Sequence, residues 1–211
     1  MPARAPAPRA SRRPSPAVDA APPLHERAMD NLHFIRSTME RATALTAVSG
    51  WGIAACGAIG LVAAWTAHRQ PTAGAWLATW LAAVPAAIAV SALAARWKAR
   101  RTGQPALPTP TRKLVLHVMP PMLAGALLTF ALARSDAFAL LPGVWLLLYG
   151  AAVIAGGAFS VRPVPMMGGV FLALGTIAVL GPAAWSDALL ATGFGGVHLA
   201  FGPYIARRHG G

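Results

Sequence analysis

The stretch FALLPGVWLLLYGAAVIAGGAF, residues 138–159, decides the fold. It contains no charged side chain, and its length matches the roughly 20 residues that an α-helix needs to cross the hydrocarbon core of a bilayer. A short link, residues 160–163, separates it from another apolar run, residues 164–185. Two spans joined by so short a link form an antiparallel hairpin. The stretch therefore predicts a helical membrane protein rather than a soluble domain.

The rest of the chain extends this pattern. Apolar residues make up 56% of the sequence and charged residues 11%, against about 25% charged in a typical soluble domain. The apolar runs are residues 43–67, 73–95, 114–133, 138–159, 164–185 and 188–206, and none of them contains Asp or Glu. We therefore predict an all-α membrane protein, a bundle of six transmembrane helices built from three antiparallel hairpins.

Positive charge is distributed unevenly between the two sides that six spans create. With the N-terminus inside, every one of the 18 lysines and arginines except Arg69 and Arg134 falls on the inner side. This asymmetry follows the positive-inside rule and predicts that both termini are cytoplasmic. The net charge of +12 is then explained by the orientation of the protein in the membrane. We predict no nucleic-acid binding, because no basic stripe interleaved with aromatic residues exists.

Two segments precede the spans. Residues 1–23 are rich in Ala, Pro and Arg with almost nothing large to bury, which predicts a disordered tail. Residues 24–42 carry one apolar stripe at helical spacing, with charged side chains off the stripe, which predicts an amphipathic helix on the cytoplasmic side. The apolar positions of this stripe are Leu24, Ala28, Leu32, Ile35, Met39 and Ala42. Residues 43–211 form the six-helix domain.

Two histidines lie inside the apolar runs, and ionisable residues within a span are the first place to look for function. Both are near prolines that remove helical hydrogen bonds: Pro120 and Pro121 follow His117, and Pro203 follows His198. The predicted topology puts both histidines in the cytoplasmic half. The functional hypothesis is that the two histidines line a polar binding pocket that faces the cytoplasm, with Arg162 and Tyr204 near it.

Such a pocket has several possible occupants, namely an anion, a lipid headgroup or a haem held by His117 and His198. The alternative, which the residues favour, is a structural role in which each histidine makes one interhelical hydrogen bond. We predict no resident cofactor, no metal site and no catalytic residue. Paired acids, a glycine-rich phosphate loop and histidine pairs at zinc-binding spacing are all missing from the spans.

Several motifs resemble a group of uncharacterised bacterial six-helix integral membrane proteins. They are ERAMDNLHFIRSTMER at residues 26–41, LLPGVWLLLY at residues 140–149, GAFSVRPV at residues 157–164, and the surroundings of Gly195, Gly196, His198 and residues 206–208. The resemblance covers residues 24–211 and leaves out the tail. It implies the topology, a six-helix protein of the bacterial inner membrane, and it assigns no activity to any residue.

Three hypotheses of function follow. The first is a non-enzymatic sensor or partner subunit, with membrane lipids around it and a cytoplasmic protein docked on residues 24–42. The second is a small transporter or permease-like protein, which would usually place charged residues at mid-depth. The third is a haem-binding protein or other membrane enzyme that uses His117 and His198.

Overall fold

The computed structural model describes residues 24–47, 49–103, 109–158 and 160–209. The chain is 90% helical over the described residues, and no strand occurs among them. It divides into two units, Met1–Arg36 and Ser37–Gly211. The predicted disordered tail, residues 1–23, lies outside the described residues.

The described residues form eight α-helices, a π-helical segment and two single 3-10 turns. The α-helices are α1 Leu24–Ala47, α2 Gly50–Ala67, α3 Ala73–Thr102, α4 Thr109–Arg134, α5 Leu141–Gly157, α6 Pro163–Leu180, α7 Ser186–Leu190 and α8 His198–His209. Single 3-10 turns, Phe138–Leu140 and Ala183–Trp185, lead into α5 and α7, and the π-helical segment Ala191–Val197 joins α7 to α8.

Six of the described helices are long and apolar enough to cross a membrane, which confirms the predicted number of apolar helices and fits a multi-pass membrane protein. They are Gly50–Ala67, Ala73–Arg101, Thr111–Arg134, Phe138–Gly157, Pro163–Leu180 and Ala183–Arg208. The last of these, which we call the sixth span, combines a 3-10 turn, α7, the π-helical segment and α8.

The first span begins later than the sequence predicts. Helix α1 continues to Ala47, and a new helix starts at Gly50 rather than at residue 43. Ser49 has extended backbone angles, and its hydroxyl oxygen accepts a hydrogen bond from the backbone N–H of Gly52 at 3.3 Å. A serine in this position caps a helix N-terminus by satisfying one of its free N–H groups, so it separates the two helices.

The boundary between the fifth and sixth spans also differs from the prediction. Helix α6 ends at Leu180, where the N–H of Gly181 bonds to the carbonyl of Ile177 at 2.8 Å. Pro182 follows in an extended conformation and has no N–H to continue the helix. The sixth span therefore starts at Ala183 and includes Asp187. The expectation that no acidic residue lies in a span is wrong for this one.

Within the unit Ser37–Gly211, each helix packs against only some of the others. Helix α2 packs against α3 on one side and against α8 and the π-helical segment on another, whereas α5 packs against α4 and α6. Glycines permit the closest approach of α2 to the sixth span. A β-carbon built on Gly57 would lie 2.9 Å from the carbonyl oxygen of Gly195. Such contacts bring helix backbones together where no hydrophobic force drives association in lipid.

At the C-terminal ends of four helices, an arginine lies over the ring of the aromatic residue four positions before it in the chain. The pairs are Trp65 with Arg69, Trp97 with Arg101, Phe130 with Arg134, and Tyr204 with Arg208, at 3.5, 3.7, 5.5 and 5.8 Å from guanidinium carbon to ring centroid. A cation there also complements the helix dipole. Aromatic and basic side chains concentrate where spans meet the lipid headgroups.

Candidate functional site

Tyr149 and His198 form a hydrogen-bonded pair inside the helical unit. The Tyr149 hydroxyl lies 2.8 Å from Nε2 of His198, and His198 is 4% exposed. Tyr149 sits near the middle of α5, whereas His198 opens α8 within the sixth span. The pair therefore links two spans through a polar contact at the middle of α5.

The second ring nitrogen of His198 determines its tautomer. Nδ1 lies 3.3 Å from the carbonyl oxygen of Gly193, which can only accept, so Nδ1 carries the proton. In the neutral imidazole that an apolar interior favours, Nε2 then accepts the hydrogen bond from the Tyr149 hydroxyl. Gly193 belongs to the π-helical segment, five residues before His198. Both polar atoms of the ring are thus engaged, one of them by the irregular part of the sixth span.

Aromatic rings surround this pair. Phe171 of α6 is fully buried, with its centroid 4.7 Å from that of Tyr149 and 5.4 Å from that of His198. Phe194, in the π-helical segment, lies 5.1 Å from Tyr149 and is stacked on His198 at 6.3 Å. A β-carbon on Gly193 would come 3.1 Å from the Phe171 ring, so the bare glycine makes room for the ring. We call Tyr149, His198, Phe171 and Phe194 the central cluster.

Three tryptophans continue the aromatic packing from the central cluster towards the start of α3. The rings of Trp76 and Trp145 are stacked, with centroids 5.5 Å apart and planes at 6°. Trp80 lies 6.2 Å from Trp145 and 5.9 Å from Phe194. Nε1 of Trp145 donates to the Thr129 hydroxyl at 2.8 Å, which ties α5 to α4. The three tryptophans, which we call the tryptophan group, bring α3 into contact with α5 and the π-helical segment.

Asp187 forms a second polar junction, at the opposite end of the sixth span from α8. One carboxylate oxygen accepts a hydrogen bond from Nε1 of Trp76 at 2.9 Å, and the other lies 3.0 Å from Nδ1 of His68. The side chain of His68 is 76% exposed, so this junction is accessible to solvent. Three elements meet here, namely the end of α2, the start of α3 and α7.

The structure places the four predicted pocket residues in different surroundings. His198 is buried in the central cluster. His117 is exposed on α4, and its Nδ1 lies 2.7 Å from the carbonyl oxygen of Lys113 on the same helix. Arg162 is exposed and precedes α6, whereas Tyr204 is 48% exposed on α8. Of these four, only His198 lies in the central cluster.

The contacts of His198 bear on the haem hypothesis. A haem iron would need a free ring nitrogen, but Nε2 is occupied by the Tyr149 hydroxyl and Nδ1 by the Gly193 carbonyl. The first of these bonds would have to break before the ring could ligate iron. Helix α4, which carries His117, packs against α5, whereas α8 packs chiefly against α2. Among the described residues, no three His, Cys, Asp or Glu side chains are grouped as a metal site.

Sequence reasoning did not find Tyr149, Asp187 or the role of the π-helical segment. The chain has two tyrosines, and one of them falls in the middle of an apolar run. A tyrosine hydroxyl within a span needs a hydrogen-bond partner. The position of Tyr149 in the sequence therefore indicated a polar contact between helices. Three glycines among residues 193–196 were the signal for an irregular helix, since glycine weakens a regular one.

Comparisons with protein-family models, with curated proteins and with solved structures find no match to this chain. Any function assigned to it therefore rests on its own residues and their geometry.

Proposed function

We propose that this protein is a non-enzymatic sensor of the bacterial inner membrane whose moving part is the sixth span. The observation that supports the proposal is the irregular helical structure of that span together with its hydrogen bonds to other helices. It is π-helical over Ala191–Val197 and hydrogen-bonded to other helices on both sides of this irregular segment. Asp187 binds Trp76 before it, and His198 binds Tyr149 after it.

A π-helical segment gives the span two discrete arrangements. It accommodates about one residue more than a regular helix of the same rise, and such segments occur often at functional sites. Conversion to α-helix would rotate the following residues by about 100°, the angle per residue at 3.6 residues per turn. His198 would then leave Tyr149. A stimulus that favours one arrangement would therefore be reported as a rotation of α8.

Orientation and output are part of the same proposal. The distribution of lysine and arginine supports cytoplasmic termini. The short links at residues 134–137 and 160–163 support an arrangement in three antiparallel hairpins. Helix α1 would then be amphipathic and cytoplasmic. Leu32, Ile35 and Met39, on its predicted stripe, are 60, 51 and 65% exposed. An apolar stripe of this kind suits docking of a cytoplasmic protein partner, to which the sensor passes its state.

The proposal is tested by coupling the two ends of the molecule. A photo-crosslinking amino acid is placed at Leu32, on the stripe, and at Asp30, about half a turn away, in the full chain in living bacteria. We expect a defined cytoplasmic adduct from Leu32 and none from Asp30. Deletion of Gly196 removes the extra residue, so the segment becomes α-helical while α8 keeps its present orientation and the rotated arrangement is no longer available. Because only one arrangement is left, the deletion should change the Leu32 adduct yield at least twofold.

The matched control is Gly196→Ala. It keeps the length of the segment, and a β-carbon at this position meets nothing within 4 Å. We expect its adduct yield to equal that of the wild type. Tyr149→Phe, which keeps the chain length and releases His198, serves as a second probe should the deletion fail to fold. An unchanged Leu32 adduct in a folded variant of either kind would refute the sensor proposal.

A further inference from the structure

Trp80 presents a polar atom that the fold leaves unsatisfied. The residue is 6% exposed, and its indole N–H has no hydrogen-bond partner among the described residues. The other two members of the tryptophan group do have partners: Trp76 donates to Asp187 and Trp145 donates to Thr129. A buried donor without an acceptor is unfavourable, and most such groups in proteins bind another group or an ordered water.

The neighbours of Trp80 explain why the N–H stays unsatisfied. Its ring lies 6.4 Å from Trp76, 6.2 Å from Trp145 and 5.9 Å from Phe194, centroid to centroid. The indole N–H of Trp donates and does not accept, and an aromatic face is only a weak acceptor. These aromatic neighbours favour contact with a flat ring, and no acceptor oxygen of the described residues forms a hydrogen bond with the Trp80 N–H. A ligand that brings both would complete the site.

The face of α3 that carries Trp80 opens towards the bilayer within one turn. Trp76, Trp80 and Val84 follow one another at a spacing of four and so share this face. Trp80 is buried, but Val84 is 53% exposed. Helix α3 packs chiefly against α2 and reaches α5 through the rings of the tryptophan group. The seam between α3 and α5 is thus made of side chains, which can rotate to admit a ligand from the lipid.

A proline adds a further polar group at this level. Pro85 lies inside α3 and has no N–H, so the carbonyl of Leu81, next to Trp80, has no donor in the helical ladder. At membrane depth such a carbonyl is tolerated where water, a side chain or a ligand can reach it. Apolar walls with a few polar atoms are the usual composition of a small-molecule site.

From these observations we propose that the seam beside Trp80 binds a lipid-soluble molecule through a carbonyl oxygen that accepts the Trp80 indole N–H, with its flat ring against Trp145 and Phe194. A membrane quinone has this chemistry. The ester carbonyl of a phospholipid has the acceptor without the ring, and the experiment separates the two sources. The site goes beyond the proposed function, because binding requires no movement of the sixth span.

The test measures binding to the purified full chain in detergent by isothermal titration calorimetry. The probe is a short-chain alkyl benzoquinone, and the reference is an alkylbenzene of equal chain length, which lacks the carbonyl. Trp80→Phe keeps an aromatic ring and removes the donor. We expect it to weaken quinone binding about fivefold or more and to leave alkylbenzene binding within twofold, since one neutral hydrogen bond is lost.

Trp97→Phe is the matched control, because Trp97 lies near the other end of α3 and is 49% exposed. It should bind both compounds as the wild type does. Titration of the quinone into protein in phospholipid nanodiscs identifies the source. Retained binding supports a quinone, whereas loss of binding there, together with the Trp80→Phe effect in detergent, supports a lipid ester at the same N–H.

Equal quinone affinity of the wild type and Trp80→Phe would overturn the site, as would absence of binding to the wild type in detergent. Neither result bears on the crosslinking from α1, which uses no added ligand. The sensor proposal and the binding site can therefore fail separately.

Discussion

Tyr149 and His198 are hydrogen-bond partners, and His198 is buried whereas Tyr149 is partly buried. A buried imidazole needs a partner at both nitrogens, and the second partner is the Gly193 carbonyl. The interhelical hydrogen bond that the sequence favours for each histidine is therefore present for His198. Tyr149 is therefore the first residue to substitute, because phenylalanine removes its hydroxyl oxygen and keeps the aromatic ring.

Tyr149→Phe is expected to destabilise the protein by about 1–3 kcal/mol, because Nε2 of His198 stays buried without a donor. The measurement is unfolding of the purified protein in mixed micelles with increasing denaturing detergent. Tyr204→Phe is the control, since Tyr204 is 48% exposed and the ring that Arg208 covers is retained. Equal stability of the two variants would show that the central hydrogen bond contributes nothing.

Contact between α2 and the sixth span depends on missing side chains. Gly57 and Gly195 lie so close that a β-carbon at Gly57 would overlap the opposite backbone, at 2.9 Å from the Gly195 carbonyl oxygen. The sixth span also carries the π-helical segment at this level. The two glycines therefore set the close approach of the helices at the level of this segment, and the side chains of Leu61 and Leu199 fill the space beside them.

Gly57→Ala should lower stability by about 1–3 kcal/mol, because the added methyl group forces the two helices apart. Gly169→Ala is the matched control. Gly169 is also inside an apolar helix, but a β-carbon there meets nothing within 4 Å, and alanine favours helix over glycine by up to about 1 kcal/mol. The same unfolding assay compares the two. A Gly57→Ala protein as stable as Gly169→Ala would contradict the close approach.

At the scale of the whole molecule, the stacked arginines bear on orientation. Arg69 and Arg134 are the two basic residues predicted to lie outside, and both lie over aromatic rings at helix ends. A ring face and the carbonyls of a last turn attract each cation to the membrane interface. These two charges on the predicted outer side are compatible with the positive-inside rule because the other sixteen lysines and arginines fall on the predicted inner side.

Single cysteines test the predicted orientation in the background Cys56→Ala. Gly74→Cys lies on the predicted outer side and Asp30→Cys on the predicted inner side, and both positions are exposed. In intact bacterial cells with a permeabilised outer membrane, a membrane-impermeant maleimide should label Gly74→Cys and not Asp30→Cys. Both should react after the inner membrane is opened. The reverse pattern would mean that the termini are outside.

The sequence by itself determined the class of this protein and the number of its long apolar helices. Hydropathy depends on local composition, and a helix that crosses lipid must satisfy its backbone internally, so length and polarity suffice to recognise it. The ends of helices were less predictable. The Ser49 cap and the break at Gly181 and Pro182 fall inside stretches that are apolar enough to be read as continuous.

Only the tertiary structure decided which polar groups meet. Tyr149 and His198 are far apart in sequence, as are Trp76 and Asp187, and their contacts depend on how α5, α3 and the sixth span pack. Lipid-facing and buried positions are equally apolar in a membrane protein, so composition carries little information about which faces pack together. Small residues and hydrogen bonds set that packing here. The same geometry left one indole N–H, that of Trp80, without an acceptor.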